Sequence, residues 1–176
     1  MSEDRNKEKV DFLKWQLEYV IDQIKMADTK INFLLAIYLA LLGITVSQTK
    51  KIANIFLDAC VSWEWKVFTG IIYFLFLYCI VRFYCYFVKV VKPRVNPKDI
   101  LKEENYRSLI FWGDIANMKF EEFNNAELER RYNDLEKQVF INSCIAESKF
   151  GYVTKAYKIF TPTLVIFMVL LILIGF

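Results

Sequence analysis

Histidine is missing from this chain of 176 residues, and with it the commonest metal ligand and the commonest general base near neutral pH. The four cysteines, at 60, 79, 85 and 144, form no CxxC pair. Cys79 and Cys85 fall inside a hydrophobic run, where a thiol packs as a small apolar group. There is no GxGxxG, no Gly-rich phosphate loop and no nucleophile with a histidine partner. Glu121 and Glu122 are adjacent, so on a helix they diverge by about 100° and cannot share a substrate. These gaps argue against an enzyme, a metal site and a bound cofactor. An excess of one charge is lacking too: 23 Lys and Arg stand against 20 Asp and Glu, a net of +3, which gives no reason to expect nucleic acid. The polar N-terminus has no short apolar core and cleavage site of the secretory kind.

What is present is apolar and segregated. Hydrophobic residues make up 56%, aromatics 17% and charged residues 24%, so a near-average charge content has to be sorted away from long apolar runs. The runs predict three membrane-spanning helices, at 31–48, 67–89 and 159–176. The apolar part of the first, 31–46, rises only ~24 Å against a ~30 Å hydrocarbon core, so it borrows from its flanks. Arg82 sits near one end of the second, where its head can snorkel to the surface. Pro162 stands in the first turn of the third, where a missing N–H costs little. Trp63 and Trp65 precede the second run as an interfacial belt.

The connection 49–66 reads as a short outer loop. Lys50, Lys51 and Lys66 flank that side. Lys25, Lys30, Lys89, Lys92, Arg94, Lys98, Lys149, Lys155 and Lys158 flank the other. The positive-inside rule then predicts a cytoplasmic N-terminus and a cytoplasmic region over 90–158. The fold class expected is all-α: three transmembrane helices plus a cytoplasmic bundle formed by the N-terminal helix and 90–158.

Residues 1–30 form the other cytoplasmic piece. Val10, Leu13, Leu17, Val20, Ile24, Ala27 and Ile31 alternate spacings of three and four, an a/d heptad that suits packing along another helix. With no Gly or Pro before the first run, 6–47 reads as one helix, and its heptad as the seam of a homo-oligomer. Pro93 and Pro97 predict the end of the second helix. Asn117 is placed to cap a new helix over 118–157, loosened near Asn124 and Asn125 and running on until Pro162. On it, Leu128, Leu135 and Val139 begin an apolar stripe that meets Gln138, Asn142, Ile145 and Lys149 on one face.

Two readings of that polar patch stand side by side. Either it is a pocket for a polar ligand, since buried amides and ammonium groups are costly unless used, or Lys149 and Gln138 are solvated or pair with Asp28 or Asp22. Asp28 and Lys30 enter the membrane where Lys149 and Lys155 approach it, which suits ion pairs or lipid headgroups. In Leu109–Ala116, Gly113 beside Phe111 and Trp112 would let backbone approach a flat ring, with Asp114 accepting hydrogen bonds from a sugar or base. The alternative is a tight turn that tucks Phe111 and Trp112 under the bundle.

Three blocks in these segments resemble the transmembrane effectors of the Pycsar antiphage system. Ala27-Asp28-Thr29-Lys30 leading into Phe33-Leu34-Leu35 is similar to the family's entry to its first span. Phe111-Trp112-Gly113-Asp114-Ile115-Ala116 followed by Phe120-Glu121-Glu122-Phe123 is similar to its F-x-G-D-I-x and E-E-F/Y. Gln138, Ile145-Ala146, Lys149 and Ala156 match a helix of the Q…IA…K…A type. Trp112 departs from the small or variable residue expected there. The resemblance implies an effector of abortive infection that answers a cyclic pyrimidine mononucleotide, cyclic CMP or cyclic UMP, and compromises the inner membrane. A companion pyrimidine cyclase supplies the signal without direct contact. Carried over residue by residue, the site would use Asp28, Lys30, Gly113, Asp114, Glu122, Gln138 and Lys149. Lys149 or Lys30 would meet the phosphate, and the base would stack on Phe111, Trp112 or Tyr106. The competing expectation is a membrane-anchored scaffold that docks a cytoplasmic partner and binds no nucleotide.

Overall fold

The structure, a computed structural model, describes residues 2–92, 97–103 and 106–175. Among them every regular element is helical. Pro93 and Arg94, read above as a helix stop and a flanking charge, lie outside the described residues. Three helices are long and apolar enough to cross a membrane, within Lys7–Ser47, Trp63–Val91 and Leu128–Ile174. The chain is an all-α membrane protein.

α1 is one helix from Ser2 to Ser47. α2 follows at Thr49–Leu57 and α3 at Trp63–Val91. Three five-residue helices, α4 (Pro97–Leu101), α5 (Trp112–Ala116) and α6 (Phe120–Asn124), lead to the 47-residue α7 (Leu128–Ile174). Several expectations need correcting here. The connection 49–66 is not all loop: in α2, Ile52, Ile55 and Phe56 recur at helical spacing, and Ile52 is buried. Pro97 opens α4 instead of ending a helix, because its fixed φ suits a first helical position. Asn117 closes α5, its N–H bonding the carbonyls of Asp114 and Ile115. The predicted 118–157 helix is broken after Asn124, and the long helix starts only at Leu128. That helix passes through Pro162, which is therefore interior and not in a first turn. Thr163 bonds its hydroxyl back to the Ile159 carbonyl at 2.7 Å beside it, the kind of side-chain support that lets apolar helices hold a proline.

The chain divides into two compact units, Met1–Ala27 with Pro93–Lys149, and Asp28–Lys92 with Phe150–Phe176. In the second unit, Leu41, Ile52, Phe76, Phe167, Leu170 and Ile174 form the core. Tyr38 stacks on Phe83 with ring centroids 3.8 Å apart, and its hydroxyl meets the Thr163 hydroxyl at 3.1 Å. Side chains such as Phe74 and Ile172 stay exposed, as expected of surfaces whose solvent is lipid. Lys30 lies 5.3 Å from the Phe150 ring centroid in this unit, and Asp28 is half-buried.

In the first unit Val10, Leu13, Leu17, Val20 and Ile24 are half-buried and Ala27 is buried. Val10 shares an apolar hollow of about 400 Å³ with Leu109, Leu128 and Leu135 of the same chain. At Val10, at least, the predicted heptad packs within the chain. On α7 the stripe holds at Leu135, Gln138 and Lys149, which are buried, and at Val139, Asn142 and Ile145, which are half-buried; Leu128 is exposed, and Asp134, Ile141 and Ala146 are buried beside it.

Candidate functional site

Residues 106–111 have no helix of their own, so their backbone donors need partners from elsewhere. α7 provides them through one carboxylate. Asp134, 4% exposed, accepts the Tyr106 hydroxyl at 2.5 Å on Oδ1, and the Ser108 hydroxyl at 3.0 Å and the Leu109 N–H at 2.8 Å on Oδ2. One turn on, Gln138 donates from Nε2 to the Tyr106 oxygen (3.1 Å) and to Ser108 Oγ (3.0 Å). Asn142, a further turn on, donates to the Gln138 carbonyl at 2.8 Å and to its side-chain oxygen at 3.4 Å. Every proton in this chain of bonds points toward Asp134, so a single buried charge orients the whole network.

Ser108, fully buried, closes the turn by accepting the N–H groups of Ile110 and Phe111 at 3.0 and 2.9 Å. Asp114 completes it by accepting the Ser108 N–H at 2.8 Å. Gly113 is there for the chain's own aromatic: a Cβ would come within 2.7 Å of the Phe111 ring. Phe111 and Trp112 are not tucked under the bundle; they are exposed, with ring centroids 5.6 Å apart. The helical turn at Trp112–Ala116 points them outward while its polar groups face Ser108.

Over this clamp lies a polar hollow of about 410 Å³, lined by Tyr106, Arg107, Arg130, Asn133, Asp134 and Lys137 together with Glu103, Glu127 and Glu129. Its size falls within the range of small-molecule sites. Three basic side chains (Arg107, Arg130, Lys137) stand against four acidic ones (Glu103, Glu127, Glu129, Asp134). Lys137 is paired with Glu103 at 2.7 Å and Arg130 with Glu122 at 3.2 Å, both on accessible surface. Such pairs are weak, so their cations can exchange partners readily. The Lys137 ammonium also sits 5.2 Å from the Tyr106 ring centroid.

Of the residues singled out in the sequence, Asp114, Gln138 and Asn142 come together around Ser108 and Asp134. Glu122 holds Arg130 at the rim, and Lys149 is buried further along α7. Asp28 and Lys30 belong to the other unit. Ser108, Asp134, Arg107, Arg130 and Lys137 escaped the sequence reading. Asp134 had a signal: it precedes Gln138 and Asn142 by steps of four on the same helix face.

The Tyr106 phenol is pushed up to about 12 from its usual 10.0, by burial first and then by the Asp134 carboxylate it donates to. The folded protein thus holds this proton more tightly than the unfolded chain. Its contribution to stability is complete below pH 10 and disappears as pH rises through about 12. In alkaline unfolding titrations the stability difference between wild type and Tyr106→Phe should shrink across that window. A constant difference would show that the phenol is not held this way.

The family model for the Pycsar effector protein domain matches residues 12–175. No curated protein and no solved structure matches the chain.

Proposed function

The chain belongs to the Pycsar effector protein domain family, and from that premise we propose that it is a membrane effector of antiphage defence switched by cyclic CMP or cyclic UMP. The ligand comes from a companion pyrimidine cyclase that need not touch the effector. The ligand-bound protein, as a homo-oligomer, compromises the inner membrane and ends the infection by killing the cell. The basic flanks favour a cytoplasmic N-terminus and a cytoplasmic sensor unit.

The observation that carries this reading is the polar hollow built on the Asp134 clamp. A cyclic mononucleotide has one phosphate charge and one flat base. Arg107, Arg130 and Lys137 provide guanidinium and ammonium donors for the first, and Tyr106 a ring face for the second. Gln138 braces Tyr106 of the lining and Asn142 braces Gln138, with Asp114 and Gly113 shaping the turn beside them. Because the acids outnumber the bases, the phosphate gains a cation by displacing Glu103 or Glu122 from it. That exchange releases a hold between α7 and the segments before it. A ligand moves an equilibrium only by binding one arrangement better than another, and this exchange is such a difference. α7, with Lys149 buried along it, is the helix through which the difference reaches the membrane.

Removing the competing acid should help the ligand. Glu103→Gln is expected to tighten nucleotide binding by up to about fivefold, the worth of an exposed ion pair. Weaker binding in titration calorimetry would show that Glu103 itself contacts the ligand. The reading as a whole is tested in cells that express the protein with an inducible cyclase. A cyclic pyrimidine signal should collapse the membrane potential. Cells that keep their potential, with the protein inserted and the nucleotide made, would rule it out.

A further inference from the structure

We infer that the outward face of α1 is a contact along which two copies of this chain pair in parallel. The inference deepens the self-association in the proposed reading and does not depend on the nucleotide.

α1 carries two heptad seams. The inner one runs through Val10 and Leu13 and continues as Ile31, Leu34, Tyr38, Leu41 and Thr45, all five of them buried. The outer one has the same alternation of three and four, and all its described positions are exposed. Phe12, Trp15 and Tyr19 are 56%, 58% and 55% exposed, and Met26 continues the row. Their rings are stacked along the helix, with centroids 5.8 Å apart for Phe12 and Trp15 and 5.9 Å for Trp15 and Tyr19. They make one apolar ridge on the water-side half. The same register then gives Phe33, Ala36, Ala40 and Gly43 in the apolar half, also exposed. A Cβ added at Gly43 would meet nothing. Small residues at that spacing let helix backbones approach closely in lipid.

The repeat says what covers this face. A 3.5-residue period over so long a stretch selects a helix as partner. Because the row passes from the water-side half into the apolar half, the partner helix must cross from water into lipid in the same sense. A second copy inserted the same way does so, and brings Phe12, Trp15 and Tyr19 to matching heights. The bilayer surface is a poor occupant for the ridge. α1 has no proline, and Tyr19 precedes Lys30 by eleven residues of unbroken helix, about 16 Å along its axis. Such a helix cannot fold back to lay its ridge on the membrane it enters. The one charged position in the row, Asp22, is paired with Lys25 at 2.9 Å, and a polar layer of that kind fixes the register of paired helices.

The test is oxidative crosslinking of full-length protein in membranes, after replacing the four free cysteines by serine or alanine. Single cysteines go in at Trp15 and Tyr19, and at the exposed but off-row positions Lys7 and Lys14. Disulfide-linked dimer at 15 and 19, and none at 7 and 14, is the expected result. No dimer at 15 and 19, or equal dimer at all four, overturns the inference. Light scattering in detergent gives a second reading: Trp15→Glu with Tyr19→Glu should lose the dimer mass of wild type, and an unchanged mass overturns the inference. Protein that crosslinks but binds no nucleotide sinks the ligand reading alone. Protein that binds nucleotide but never crosslinks sinks the pairing alone.

Discussion

Asp134→Asn is expected to detach residues 106–111 from α7 and abolish the nucleotide response. The carboxylate is the acceptor for three donors: two hydroxyls, from Tyr106 and Ser108, and the Leu109 N–H. Asparagine keeps the shape but turns one acceptor into a donor that faces other donors. A bond to a charged group is worth about 1.5–3 kcal/mol, and a buried donor left without an acceptor costs a further 1–3 kcal/mol. The loss should therefore reach about 3 kcal/mol or more. Asp114→Ala is the instructive contrast. Asp114 is only half-buried and accepts one described bond, from the Ser108 N–H, so about 1 kcal/mol is at stake. Limited proteolysis of detergent-purified protein checks both. Asp134→Asn should be cut within or beside 106–111 much faster than wild type, and Asp114→Ala only a little faster. Equal resistance in wild type and Asp134→Asn would remove the clamp from the account.

The second large effect concerns charge in the hollow. Replacing Arg130 and Lys137 together by alanine removes two of its three cations. Each charge-assisted contact to a phosphate is worth about 1.5–3 kcal/mol, so affinity should fall by about a hundredfold or more. Both side chains are accessible and both are tied to surface acids, so the fold should survive their loss. The protease pattern of the double variant should therefore match wild type. Unchanged affinity in that variant would place the phosphate elsewhere, with Lys149 the next residue to examine.

The three membrane-crossing helices could be read from the sequence because long apolar runs leave few other structures. The inward face of α1 was readable for a similar reason: Val10 to Ile31 repeats with one period. What filled that face was not readable. A heptad asks for a helix and does not say whose, and here α7 of the same chain shares the hollow with Val10. α2 escaped notice because a nine-residue helix around Ile52, Ile55 and Phe56 is too short for its period to stand out. The reading of Pro162 failed through its context: the residue looks like a first-turn proline only when the polar stretch before it is taken as separate.

At the site, spacing alone grouped Gln138 with Asn142, since steps of four share a helix face. Asp134 fits the same step but looks like a surface charge between Asn133 and Leu135, and only its partners on 106–109 reveal it as buried. Those partners lie about 26 residues away in sequence, beyond any helical period. Asp28 and Lys30 were joined to Lys149 by their depth on the helix as well as by the resemblance; they fall in the second compact unit, and Lys149 is the last residue of the first.

The proposed function requires that this membrane protein recognise a cyclic pyrimidine mononucleotide. Titration calorimetry of the detergent-purified full chain with cyclic CMP, cyclic UMP and cyclic AMP tests it most directly. Saturable binding of one pyrimidine nucleotide, and none of cyclic AMP, is expected. A well-folded protein that binds none of the three, or binds cyclic AMP equally well, would contradict it.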